Sequence, residues 1–142
     1  MKILVSDKLS AEGVAVLEKA EGFDVDVRTG LDESALCAII GDYDGLIIRS
    51  ATRVTPTLLA CADKLKMVGR AGIGVDNIDL LEASRRGIVV MNAPFGNAVT
   101  TAEHALGLLA TLTRHVAAAD ASMKAGKWEK AKVRGTEKWK KT

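Results

Sequence analysis

Five short apolar runs alternate with four capped, amphipathic segments between Lys2 and Met91, and few architectures accept that rhythm. Residues 2–6 (KILVS) read as a buried strand. Ser10 then supplies an N-cap for a helix from Ala11 to Ala20, with Val14, Leu17 and Ala20 on one face. Residues 24–28 (DVDVR) alternate with period two, as an edge strand with one wet face does. Asp32 caps a helix that runs to Ile40 and stops at Gly41. Residues 45–49 (GLIIR) are a near-continuous apolar run, which predicts a central strand buried on both faces. Thr55-Pro56 opens a helix to about Ala62, with proline in its favoured first turn. Residues 66–70 (KMVGR) give a fourth strand, Asn77 or Asp79 starts a helix to Arg86, and 88–91 (IVVM) give a fifth strand.

This alternation predicts an α/β fold with right-handed crossovers: a doubly wound, five-stranded parallel sheet in the flavodoxin-like order 2-1-3-4-5. A long C-terminal helix follows, from Thr100 to about Lys124, with Thr100 and Glu103 as a T-x-x-E capping box. Its stripe of Ala102, Ala105, Leu106, Leu109, Leu112 and Val116 recurs at helical spacing. His104 is expected to pack as a core residue and His115 to be solvated. The chain thus divides into a sheet domain, 1–99, and a helix with a basic tail, 100–142.

Composition excludes several classes. The 142 residues set a prior of one domain, and no apolar run approaches the ~20 residues that span a bilayer. The opening MKILVSD reaches an acid too early for a signal peptide, and the two cysteines, Cys37 and Cys61, make no CxxC. That argues against a disulfide framework and a zinc site and suits a reducing cytoplasm. Residues 1–123 carry 12 Lys/Arg against 16 Asp/Glu, whereas 124–142 carry 8 against 2. A basic tail suggests nucleic acid, but five aromatics in the whole chain give no stacking platform, so a solvated end is expected instead.

Doubly wound sheets place ligands at the carboxyl ends of their strands, near the reversal of strand order. The loops to search are Ser6–Ser10, Arg49–Thr55, Arg70–Asn77 and Asn92–Thr101. Arg49 at a strand end offers a planar fork of donors for carboxylate or phosphate, with Ser50 and Thr52 beside it. Arg70 stands at the next strand end, followed by Gly72 and Gly74, whose backbone is expected to turn tightly into an amide nest for an anion. For a lone arginine, pairing with a neighbouring acid is the simpler expectation; two arginines and a nest on one rim favour a negative ligand. The glycines do not make a dinucleotide fingerprint, because Asn77 stands where GxGxxG needs its third glycine.

The runs VGRAGIGVDNID (68–79), LIIRSATRVT (46–55) and VMNAPFGNAVTTAEHALGLLATLTR (90–114) closely resemble the NAD-dependent D-2-hydroxyacid dehydrogenases. The likeness is to their phosphoglycerate-oxidising branch, which serves serine biosynthesis. Residues 121–137 are similar to the family's stretch leading into its nucleotide-binding fold. The resemblance implies that this is the flavodoxin-like substrate-binding domain of such an oxidoreductase. Arg49 and Arg70, with Ser50, would hold the phosphate or charged end of 3-phosphoglycerate or a related 2-hydroxy acid. The amides of Ala71, Gly72 and Ile73 would hold its carboxylate. Ile73 stands where many relatives have threonine. With Asn97 and Thr101, it would lie near the cofactor cleft of the assembled enzyme.

The family's catalytic arginine, glutamate and histidine have no match here, and His104 does not replace that histidine. The resemblance therefore implies a truncated or excised domain, inactive alone: it binds no cofactor itself, although the full-length family uses NAD. The apolar stripe of helix 100–123 is expected either to fold back on its own sheet or, the preferred outcome, to pair with a second copy as a homodimer. A phospho-receiver domain would need an acid where Arg49 stands, and a flavodoxin would need a phosphate loop after the first strand. The alternative is a stand-alone interaction or oligomerisation module of the same fold, without a catalytic role.

Overall fold

In the computed structural model, which describes residues 1–130, the chain divides into two units, Met1–Gly96 and the segment from Asn97 onward. The remainder of the basic tail, with Trp139, lies outside the described residues.

The first unit holds five four-residue strands: β1 (Lys2–Val5), β2 (Asp24–Val27), β3 (Gly45–Ile48), β4 (Met67–Arg70) and β5 (Val89–Asn92). All pair in parallel, in the order β2-β1-β3-β4-β5. The four linking helices are α1 (Ala11–Glu18), α2 (Glu33–Ile40), α3 (Pro56–Ala60) and α4 (Leu80–Arg85). Each starts on a side-chain cap that accepts from the third amide along: Ser10 from Gly13, Asp32 from Ala35, Thr55 from Leu58 and Asp79 from Glu82. Of the two proposed starts for α4, Asp79 is the cap.

Right-handed crossovers send α1 to one face of the sheet and α2, α3 and α4 to the other, because strand order reverses after β2. The main core forms under the three-helix face, where Leu4, Leu46, Ile48 and Val68 meet Leu36, Ile40, Leu58, Leu59 and Ala83. On the opposite face, Gly45 and Gly69 make room for the Ile3 and Ile47 side chains. β3 is mostly buried, as its apolar run predicts, but in β4 only Val68 is buried. At the β5 edge Val89 and Met91 are exposed. β2 is an edge strand as expected, but its alternation is broken: Val27 is exposed, while Asp26 is half-buried and accepts from the Tyr43 hydroxyl at 2.5 Å.

The second unit departs further from the single helix predicted. α5 (Ala98–Thr113) and α6 (Val116–Lys124) are separated at His115, which adopts a left-handed backbone with φ 51°. The Thr113 hydroxyl donates back to the carbonyls of Leu109 and Ala110, at 2.9 and 3.2 Å. Such back-bonding weakens a helix just where this one ends. α5 starts at Ala98, so Thr100 lies inside its first turn and cannot cap it; Asn97 holds the N-cap position without a side-chain bond. No residue of either helix is buried, and His104 is exposed rather than packed. Among the described residues, no helix is long and apolar enough to cross a membrane.

Candidate functional site

The reversal of strand order lies between β1 and β3, and there the chain places a buried acid. Asp7 follows β1, and its carboxylate accepts from the amides of Arg49 (2.6 Å), Ala51 (3.2 Å) and Thr52 (3.1 Å) and from the Thr52 hydroxyl (2.7 Å). Burial pushes this carboxyl up, but the bonds from Thr52, Arg49 and Ala51 outweigh it and hold the pKa below its ordinary 3.8. From the other side, the Asn77 amide donates to the carbonyls of Arg49 (2.8 Å) and Thr52 (2.6 Å). The loop after β3 is therefore gripped by an acid and an amide that lie far apart in the chain.

Arg49 and Arg70 do different things on this rim. The Arg49 side chain is exposed and has no hydrogen-bond or ion-pair partner among the described residues. Ser50 is exposed beside it. Arg70, whose side chain is only 11% exposed, folds onto its surroundings. Its Nε donates to the Arg49 carbonyl at 3.1 Å, and Nη1 donates to the Gly74 carbonyl. Asp76 lies 3.9 Å from Nη2. A guanidinium has five N–H donors, so this leaves Arg70 some for a ligand while it ties two loops together. The acid missing from the sequence argument is Asp76, but at that distance and 86% exposed it is a weak partner.

The amide nest is only partly available. Ala71 N–H donates to the Ile48 carbonyl at 2.8 Å, extending the sheet, and Gly72 N–H donates to the Arg70 carbonyl at 2.9 Å. Ile73 N–H has no partner among the described residues. Neither Gly72 nor Gly74 has positive φ. A Cβ at position 72 would lie 3.1 Å from Nη1 of the largely buried Arg70, whereas one at position 74 would meet Asp76 Oδ1 at 2.8 Å, an exposed tip that can turn aside. The loop is fixed on β5 as well, since Asn92 Nδ2 donates to the Ile73 carbonyl (2.7 Å) and Ala93 N to that of Gly72 (3.0 Å).

Of the residues assigned to a cofactor cleft, Ile73 belongs to the first unit and is 42% exposed. Asn97 and Thr101 belong to the second and are exposed. A dinucleotide pyrophosphate does not fit the glycine loop: the next helix start is occupied by the Asp79 carboxylate, and two of the three loop amides are spent. An open cleft of about 580 Å³ lies beside the arginine rim, walled by Leu31–Glu33, Ala51–Pro56 and Asp76–Asp79. It shares the loop after β3 but is lined by neither Arg49 nor Arg70.

Sequence reasoning gave Asp7 no role, although it lies in a loop marked for search, and offered Asn77 only as one of two helix starts, of which Asp79 is the cap. A signal was available: an acid just past the first strand, at the very end of the sheet where ligands gather.

Residues 3–136 match the family model for the D-isomer specific 2-hydroxyacid dehydrogenase catalytic domain. The chain belongs to that family. It is 46% identical over 141 residues to D-3-phosphoglycerate dehydrogenase of Synechocystis sp., covering 99% of this chain and 25% of that protein. A solved protein of Pyrococcus horikoshii superposes with a TM-score of 0.78 at 34% identity, over 90% of this chain and 38% of its own. The NAD+-bound 3-phosphoglycerate dehydrogenase of Entamoeba histolytica gives 0.68 at 32% identity, over 80% of this chain and 39% of its own. The chain thus spans about a quarter of the length of the curated relative it matches.

Proposed function

We propose that this segment captures the anionic substrate of a phosphoglycerate-type D-2-hydroxyacid dehydrogenase, with Arg49 as the principal cation. The observation that carries this reading is the contrast within Arg49: its peptide group is fixed on both sides, while its guanidinium is exposed and unpaired among the described residues. Arg70 supports it from behind, Ser50 offers a hydroxyl, and Ile73 offers a free amide for a carboxylate. The names of the relatives favour 3-phosphoglycerate over smaller 2-hydroxy acids.

In this reading the 142 residues bind but do not transfer hydride. The relatives' remaining length would supply the NAD site and the proton-transferring groups, with Ile73, Asn97 and Thr101 near the cofactor. We also propose that the exposed apolar residues of α5 and α6 pair with a second copy.

Isothermal titration with 3-phosphoglycerate tests the site. For the 142-residue segment on its own, affinity is expected at about millimolar, near −4 kcal/mol. The same mixture with NAD+ gives no NADH absorbance, and Arg49→Ala weakens binding at least severalfold. Unchanged affinity in that variant would refute the assignment.

A further inference from the structure

Resting on that role for Arg49, we propose that Asp7 and Asn77 are positioning residues that set the loop Arg49–Thr52 in its anion-capturing shape. They hold the same loop by opposite groups. Asp7 takes the amides of Arg49, Ala51 and Thr52 and the Thr52 hydroxyl, whereas Asn77 gives its two amide protons to the carbonyls of Arg49 and Thr52. The peptide units at both ends of the loop are thereby fixed on donor and acceptor sides alike.

Three observations separate this role from general stabilisation. First, every hydrogen-bond partner of the Asp7 carboxylate belongs to residues 49–52, and no cation pairs with it among the described residues. The charge of this buried acid is thus answered by this one loop. Second, Asn77 is 8% exposed, yet its Oδ1 has no hydrogen-bond partner among the described residues. A buried acceptor is left unsatisfied while both donors are aimed at the loop. Third, the clamps are buried, whereas Arg49, Ser50 and Ala51 are exposed. A rigid backbone bearing a free cationic side chain is the arrangement a preorganised binding residue needs, since less ordering is left to be done when the ligand arrives.

The test is a double-mutant cycle on the 142-residue chain, reading 3-phosphoglycerate affinity by titration calorimetry. Asp7→Asn keeps the shape but turns an acceptor into a donor facing donors, and is expected to weaken binding about tenfold. In an Arg49→Ala background the same change is expected to cost nothing further. The core variant Leu58→Ala, which lowers stability away from the loop, keeps wild-type affinity. The proposal is overturned if Asp7→Asn binds normally, if its loss is equal in both backgrounds, or if Leu58→Ala loses as much. Should Asp7→Asn fail to fold, Thr52→Val leaves the three amide bonds to Asp7 and removes the hydroxyl's bonds to Asp7 and to Ser6 Oγ, and the expected loss is about threefold, again absent without Arg49. Wild-type affinity in Arg49→Ala itself refutes the site and this proposal together, whereas a loss there with none in Asp7→Asn or Thr52→Val refutes the positioning role alone.

Discussion

A methyl group would cost different amounts at Gly45 and Gly69, although both face the same side of the sheet. At Gly45 it would stand 2.6 Å from Ile3 Cδ1 and 3.2 Å from Met67 Cγ, so a mid-chain atom as well as a side-chain tip must move. At Gly69 it would meet only the Ile47 tip, at 2.8 Å. Gly45→Ala is therefore expected to cost about 1–3 kcal/mol in urea unfolding and Gly69→Ala distinctly less. Equal costs would show that the Ile47 tip cannot turn aside. Asp7 makes a prediction of a different kind. Its folded pKa is lowered, so its stabilising contribution is present above the unfolded value and disappears as pH falls through the folded one. In acid unfolding, this contribution is complete above about pH 5 and lost progressively below 3.8. Asp7→Asn is expected to be less stable at neutral pH and to have a shallower acid limb. An unchanged limb would mean that the bonds to residues 49–52 survive protonation. The roles of Gly45, Gly69 and Asp7 were not legible in the sequence, because each depends on which strands lie side by side. Asp7 and Arg49 are 42 positions apart and become neighbours only through the pairing of β1 with β3.

At the scale of elements, the strands and helix starts were legible because their signals are local. Ser10, Asp32, Thr55 and Asp79 each cap a helix through an oxygen three residues from the amide it accepts. Where the sequence misled, a tertiary or backbone feature intervened. The T-x-x-E pattern at Thr100 was overridden by a helix already begun at Ala98, and the apolar stripe continued through a left-handed His115 that spacing does not reveal. The result is an α5 surface with Leu106, Leu109 and Leu112 each more than half exposed. Burial of apolar area yields roughly 25 cal/mol per Å², so covering several hundred Å² is worth several kcal/mol, and patches of that size on monomers mark interfaces. Light scattering at micromolar concentration is expected to give a dimer mass that Leu109→Glu reduces to a monomer. A monomer mass for the wild-type chain contradicts the pairing.

For the whole molecule, the strand order followed from four right-handed crossovers, and the rim that bears Arg49 and Arg70 followed from strand order. The division of labour between the two arginines did not. Arg70 is drawn inward by carbonyls of residues 49 and 74, and Arg49 is left without a partner among the described residues, an outcome set by loop geometry rather than residue type. The account stands or falls on whether an anion seeks the arginine rim or the adjoining cleft lined by Asp32, Glu33 and Asp79. Amide shift mapping of the 15N-labelled chain during titration with 3-phosphoglycerate decides between them. The account predicts saturable shifts centred on Arg49, Ser50, Ile73 and the Arg70 side chain, absent in Arg49→Ala. Shifts centred on Asp32, Glu33 and Thr55, persisting in that variant, would contradict it.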